Sequence, residues 1–123
     1  MLISIKNGGH AGREFVLVPH SKYVQEIAKC LFENELIKSY EQKKRKVGDV
    51  LEIKLLYKEN GDPKVFEVKR ISKPSRRLYA SVKEIYPVRQ GQGRLVLSTP
   101  KGVLDGETAR KELVGGELLF EIW

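Results

Sequence analysis

Cysteine occurs once in these 123 residues, at Cys30, so no internal disulfide can form. Only His10 and His20 stand beside it, too few for the familiar Cys/His spacings of a zinc site. No apolar run approaches the ~20 residues of a membrane-spanning helix. The opening MLISIKNGGHAG lacks the long apolar stretch of a secretory signal. A reduced compartment inside the cell is the expected setting, with no membrane partner. Catalytic signatures are missing as well: no HExxH, GxSxG or Walker pattern occurs. Gly91-Gln92-Gly93 lacks the third glycine of a dinucleotide loop and precedes a strand instead of following one. The carboxylates alternate with basic residues on exposed strand faces, as solvated ion-pair partners do. No enzyme activity, cofactor, metal or small-molecule substrate is expected.

Acidic residues are the other shortage. Lys and Arg number 23 against 16 Asp and Glu, a net charge of +7, which suits a partner rich in phosphate. The excess is concentrated. Lys69, Arg70, Lys73, Arg76, Arg77, Lys83, Arg89 and Arg94 are offset by Glu84 alone, so this window carries +7 by itself. From Asp105 to Trp123 the balance turns to −3. A further run, Lys43-Lys44-Arg45-Lys46, is open to two readings, a solvated face or a binding surface. Hydrophobic residues at 41% are enough for a folded core.

The local patterns alternate between the periods of helices and strands. Residues 1–7 read as the end of a short helix stopped by Asn7-Gly8-Gly9. Glu14 to Val18 reads as a strand closed by Pro19. Ser21 offers an N-cap to a helix from Lys22 to Glu33. Tyr23, Val24, Ile27, Ala28, Cys30, Leu31 and Phe32 fall within an arc of about 200°. So wide a stripe calls for a sheet beneath it. Cys30, at its margin, reads as a small core residue. Strands follow at Leu36–Glu41, Val50–Lys58 and Lys64–Ile71, the last two separated by the turn Asn60-Gly61-Asp62-Pro63. Ser72-Lys73-Pro74-Ser75 reads as a linker or turn. Beyond it, Leu78–Ala80 is extended. Ser81-x-x-Glu84 resembles a capping box, but Pro87 would sit inside that helix, so a one-turn helix near Pro87 is preferred, ended by Gly91 and Gly93. Arg94–Thr99 is a strand, Asp105 caps a helix from Gly106 to Leu113 terminated by Gly115 and Gly116, and Glu117–Trp123 is the last strand. The expected class is α/β (α+β) in two small packed subdomains. Residues 1–72 form a β-α-β-β-β layer, and residues 73–123 form a mixed unit of strands and short helices.

Two segments carry binding chemistry. Ser98-Thr99-Pro100-Lys101-Gly102 puts two hydroxyls and an amine after a strand. Pro100 and Gly102 shape the loop, and the helix start at Asp105 would add partial positive charge. Arg76-Arg77-x-Tyr79 supplies planar donors for phosphate and a ring for unstacked bases or riboses.

Taken in order, Lys73-Pro74-Ser75-Arg76-Arg77-Leu78-Tyr79, Leu97-Ser98-Thr99-Pro100-Lys101-Gly102-Val103, Glu107-x-Ala109-Arg110 and Gly115-Gly116-Glu117-Leu118 through Ile122-Trp123 resemble the bacterial-type small-subunit ribosomal protein S8 family. Ile3-Ser4-Ile5-Lys6-Asn7 and Pro19-x-Ser21-Lys22 extend the resemblance over nearly the whole chain. The family usually carries further residues ahead of Met1, a small hydroxyl residue at Pro100, a glycine at Ser75 and a cysteine at Phe120.

The resemblance implies a structural constituent of the small ribosomal subunit, in a bacterial or organellar ribosome. Such a protein is a primary binder of the central domain of 16S-type ribosomal RNA that helps assemble the platform. Ribosomal proteins S5 and S12 would be its neighbours. The implied contacts are Ser98, Thr99, Lys101 and Gly102 on the loop, Arg77 and Tyr79 at the junction, and Gly116-Glu117 before the last strand. Lys73, Arg76, Arg77 and Lys101 would neutralise phosphates. Glu117 would accept from a base amino group or a 2′-hydroxyl, or orient a nearby lysine. Some members repress their own messenger RNA, which is the alternative function. A small RNA-processing enzyme is the reading from another class, and no base or metal cluster favours it.

Overall fold

The helical stripe at 22–33 does what its periodicity predicts. The chain enters α2 (Lys22–Glu33) through Ser21, whose Oγ accepts the Val24 N–H at 3.1 Å. Ile27, Ala28, Cys30 and Leu31 are buried, each large aliphatic contributing about 1.5–3 kcal/mol. Tyr23 and Phe32, at the margins of the stripe, stay half exposed. In this computed structural model, which describes residues 1–88 and 93–123, the chain divides into two compact units, Met1–Phe66 and Glu67–Trp123.

In the first unit, α1 (Leu2–His10) and α2 accompany an antiparallel sheet of β1 (Phe15–Pro19), β2 (Ile37–Lys43) and β3 (Val50–Leu55), in the order β1-β3-β2. Leu51, Ile53 and Leu55 share the buried face of β3, as their alternation requires. Asn7-Gly8-Gly9 does not stop α1, which runs on to His10. A Cβ at Gly8 would lie 2.6 Å from Val16 Cγ1, and one at Gly9 would lie 2.8 Å from Pro63 Cβ. These glycines permit close packing, and the stop comes at Gly12, whose φ of 73° closes the helix.

The second unit is a five-stranded antiparallel sheet. It comprises β4 (Val68–Arg70), β5 (Tyr79–Ala80), β6 (Arg94–Thr99), β7 (Gly102–Asp105) and β8 (Gly116–Ile122). The central path is β4-β8-β6-β7, and β5 also pairs with β8. Helix α3 (Gly106–Lys111) follows β7. The core collects Ala80, Ile85, Val88, Leu95, Leu97, Ala109 and Leu118. Leu118, Phe120 and Ile122 are all buried, as the pattern of the last strand predicts.

The mixed α/β class stands, with local differences. The strand expected at 64–71 is shorter, and it pairs with β8 instead of forming a hairpin with β3. Apolar alternation predicts a strand but not its partner. Ser81-x-x-Glu84 does form a 3-10 turn at Val82–Glu84, with the Glu84 carboxylate accepting the Ser81 N–H at 3.0 Å. Ending the turn at Glu84 keeps Pro87 outside it, so the expected objection does not arise. The one-turn helix placed near Pro87 extends to 89–92, outside the described residues. Helix α3 ends before Gly115: the left-handed position after it is taken by Leu113, φ 58°.

Candidate nucleic-acid interface

Strand β8 organises the candidate residues. On one edge the chain runs along it through β4, then Ile71 N–H and Ser72 N–H donate to Leu119 O and Leu118 O at 3.0 and 3.2 Å. The chain then leaves the sheet at Lys73 and rejoins it at Leu78, whose carbonyl accepts the Leu118 N–H at 2.8 Å. Residues 73–77 are thus ejected from an otherwise continuous ladder. Lys73 and Arg76 exchange backbone hydrogen bonds of 2.9 and 3.0 Å around Pro74-Ser75, a tight turn. Lys73, Arg76 and Arg77 are all exposed. At the neck, Ser72 is only 6% exposed; its Oγ accepts the Leu78 N–H at 3.0 Å and donates to Leu78 O at 3.2 Å.

After the excursion the register brings the sequence-predicted residues into a row. Tyr79 stands opposite Glu117, and Glu117 stands opposite Ser98. Directly paired residues of antiparallel strands share a face, about 5 Å apart. The neighbours Ala80, Leu118 and Leu97 belong to the core, so Tyr79, Glu117 and Ser98 point to the other side. Tyr79 is 67% exposed, which leaves its ring free to stack. Glu117 is more enclosed, and Arg77 Nη1 lies 3.9 Å from its Oε1. At that separation and exposure the pair is worth little as a salt bridge, but it sets a cation beside the row.

The segment 98–102 is a hairpin, not a link from strand to helix. Thr99 pairs with Gly102 around Pro100-Lys101, and β7 follows. Thr99 Oγ1 donates to Gly102 O at 2.7 Å and accepts the Lys101 N–H at 3.2 Å. The two hydroxyls therefore differ: that of Thr99 is spent on the turn, while Ser98 lies in the row with Tyr79 and Glu117. Both residues are half-buried, so neither is sealed in the interior. Lys101 is exposed and reaches Glu112 Oε2 at 3.1 Å.

The expected contribution of the α3 N-terminus falls away. Helix α3 has six residues, and the Asp105 carboxylate accepts the Thr108 N–H at 3.3 Å, so a negative group already occupies that end. Gly116 has a steric reason to be glycine: a Cβ there would lie 2.1 Å from Ser98 O. At Gly115 it would lie 2.3 Å from Ala80 O. These glycines let β5, β6 and β8 converge where the row forms. Strand β7 and the clip at Ser72 escape the sequence reading. The Pro-Lys-Gly turn between strand-forming residues was the available signal for β7, and a serine ahead of Lys-Pro the only one for Ser72.

An exposed tyrosine, a free-standing serine hydroxyl and a cationic excursion on one sheet define a class: a mixed α/β protein with a polar, basic edge. The comparisons narrow the class to a family. The Ribosomal protein S8 family matches residues 1–123. The small ribosomal subunit protein uS8 of Thermus aquaticus is 42% identical, over 100% of this chain and 94% of its own. That of Caldicellulosiruptor bescii is 41% identical over 100% and 93%, and that of Thermus thermophilus 41% over 100% and 94%. The chain belongs to the ribosomal protein S8 family.

Proposed function

We propose that this protein is a structural component of the small ribosomal subunit that binds the central domain of its 16S-type ribosomal RNA directly through residues 73–123. The observation that carries the reading is the row Tyr79, Glu117, Ser98 beside the excursion bearing Lys73, Arg76 and Arg77. A-form RNA hides its major-groove edges, so a protein reads shape, 2′-hydroxyls and unpaired bases. Ser98 can approach a ribose closely, Tyr79 can take an unstacked base, and Glu117 can accept from an amino group or a 2′-hydroxyl. The arginines pair with phosphates on either side. Lys101 and the Gly102 backbone flank the row at the hairpin tip, and Gly116 keeps the strands close. Assembly of the platform and contact with ribosomal proteins S5 and S12 belong to the same reading.

The test is a titration of the full chain with a central-domain RNA fragment across a salt series. Affinity falls with a slope of about 0.7–0.9 per phosphate neutralised, so three to four contacts give a slope of about −3. A salt-independent affinity, or none above that for an unrelated RNA helix, refutes the reading.

A further inference from the structure

Affinity for folded RNA depends on how much order the protein must acquire on binding, and the excursion 73–77 is where that cost would fall. It carries three cations on a segment that has left the sheet and is tied down by the Lys73–Arg76 turn and by the weak, exposed approach of Arg77 to Glu117. The neck of this segment is closed by one side chain. Ser72, buried to 6% exposure, uses its hydroxyl as acceptor and donor at once, taking the Leu78 N–H and giving to Leu78 O. Its own N–H and the Leu78 carbonyl both bond to Leu118, and its carbonyl accepts from Arg70 Nε at 3.0 Å. Departure and return are therefore pinned to the same residue of β8. Alanine at 72 would keep the backbone pairing but leave the Leu78 N–H without its partner.

We propose that Ser72 is a positioning residue for RNA binding: its hydroxyl clips the neck of the excursion and holds Arg76, Arg77 and Tyr79 ready for the RNA. The inference rests on the RNA-binding reading above. Ser72 itself touches no ligand; it acts by removing the need to order five residues on contact.

The experiment compares wild type, Ser72→Ala, Ser72→Thr and the double variant Arg76→Gln/Arg77→Gln on the same central-domain RNA. Affinity, its salt slope and thermal stability are recorded for each. Ser72→Ala should weaken binding about tenfold, the scale of one buried hydrogen bond. Its salt slope should stay at the wild-type value, because the same phosphates are reached, and Ser72→Thr, which keeps the hydroxyl, should restore affinity. The double arginine variant should instead lower the slope by one to two units, at about 0.7–0.9 each. Wild-type affinity for Ser72→Ala, whatever its melting temperature, overturns the proposal. So does a slope change matching that of the arginine variant. A separate measurement on the wild-type chain does not depend on any variant folding. Hydrogen exchange should show the Leu78 amide protected, and a Leu78 amide exchanging at the rate of an open loop overturns the proposal. Failure of wild type to bind the RNA would refute the functional reading instead, while Leu78 protection would still report on the clip.

Discussion

Replacing Gly116 by alanine should be among the most damaging single-methyl additions this chain can receive. The added Cβ would stand 2.1 Å from Ser98 O, 2.9 Å from Ser98 C and 3.1 Å from Thr99 Cα. All three are backbone atoms, so no rotamer change relieves the contact. Bringing the carbon to an ordinary separation of about 3.3 Å from the oxygen requires β8 and β6 to part by about 1 Å. The pairs Ser98–Glu117 and Leu97–Leu118 lie at that point of the ladder. Two or three hydrogen bonds weakened at about 0.5–1.5 kcal/mol each, plus loosened packing at Leu97 and Leu118, give about 2–4 kcal/mol. Urea unfolding followed by the fluorescence of Trp123, which packs against the second unit's core, reads this directly. The expected accompaniment is a fall in melting temperature of about 10 °C. Gly12→Ala is the control: its Cβ meets nothing within 4 Å, but φ is 73°, so the cost is the left-handed backbone alone, about 1 kcal/mol. A Gly116→Ala chain within 0.5 kcal/mol of wild type would refute the argument that close strand approach requires this glycine.

Other outcomes separate the roles of neighbouring residues. Ser98→Ala should leave stability within 0.5 kcal/mol of wild type while weakening RNA binding, whereas Thr99→Ala should cost the hairpin about 1 kcal/mol; urea midpoints and RNA titrations on both variants check this. Leu113→Gly should stabilise by about 1 kcal/mol, since an exposed leucine now occupies a left-handed position that glycine adopts freely; a differential scanning experiment measures it. Backbone and side-chain hydrogen bonds from Ser81 hold the Glu84 carboxyl below its usual range. Its contribution is therefore present above the ordinary carboxylate pKa and is lost as pH falls through the lowered one, so the stability gap between wild type and Glu84→Gln should close in acid. Burial, then the Glu121 carboxylate, push the Tyr86 phenol up to about 12. Stability from this group is complete below the free phenol's value near 10 and is lost as pH rises through about 12. Unfolding across that alkaline range should show a step that Tyr86→Phe lacks.

Local order was legible wherever a short-range rule decided it. The Ser21 cap and the stripe of α2 were readable, as were the alternation of Leu51, Ile53 and Leu55 and the span of β6 at 94–99, because periodicity and capping act within a few residues. The chain's basic window and the residues of the candidate interface were readable for the same reason. Steric partners were not. Gly8 and Gly9 look like helix breakers until Val16 and Pro63 are seen against them, and Gly115 and Gly116 look like helix terminators until Ala80 O and Ser98 O appear at 2.3 and 2.1 Å.

From its order of residues alone the protein was destined to be basic, α/β and equipped with arginines, a tyrosine and hydroxyls in its second half. Only the folded chain decided which of these stand together. Pairing with β8 set Tyr79, Glu117 and Ser98 in one row and expelled 73–77 from the sheet, while the pairing of β6 with β7 turned Thr99 to the service of the hairpin. The physical reason is that strand pairing joins residues far apart in the chain. A shift of one position in register would have put each of those side chains on the opposite face.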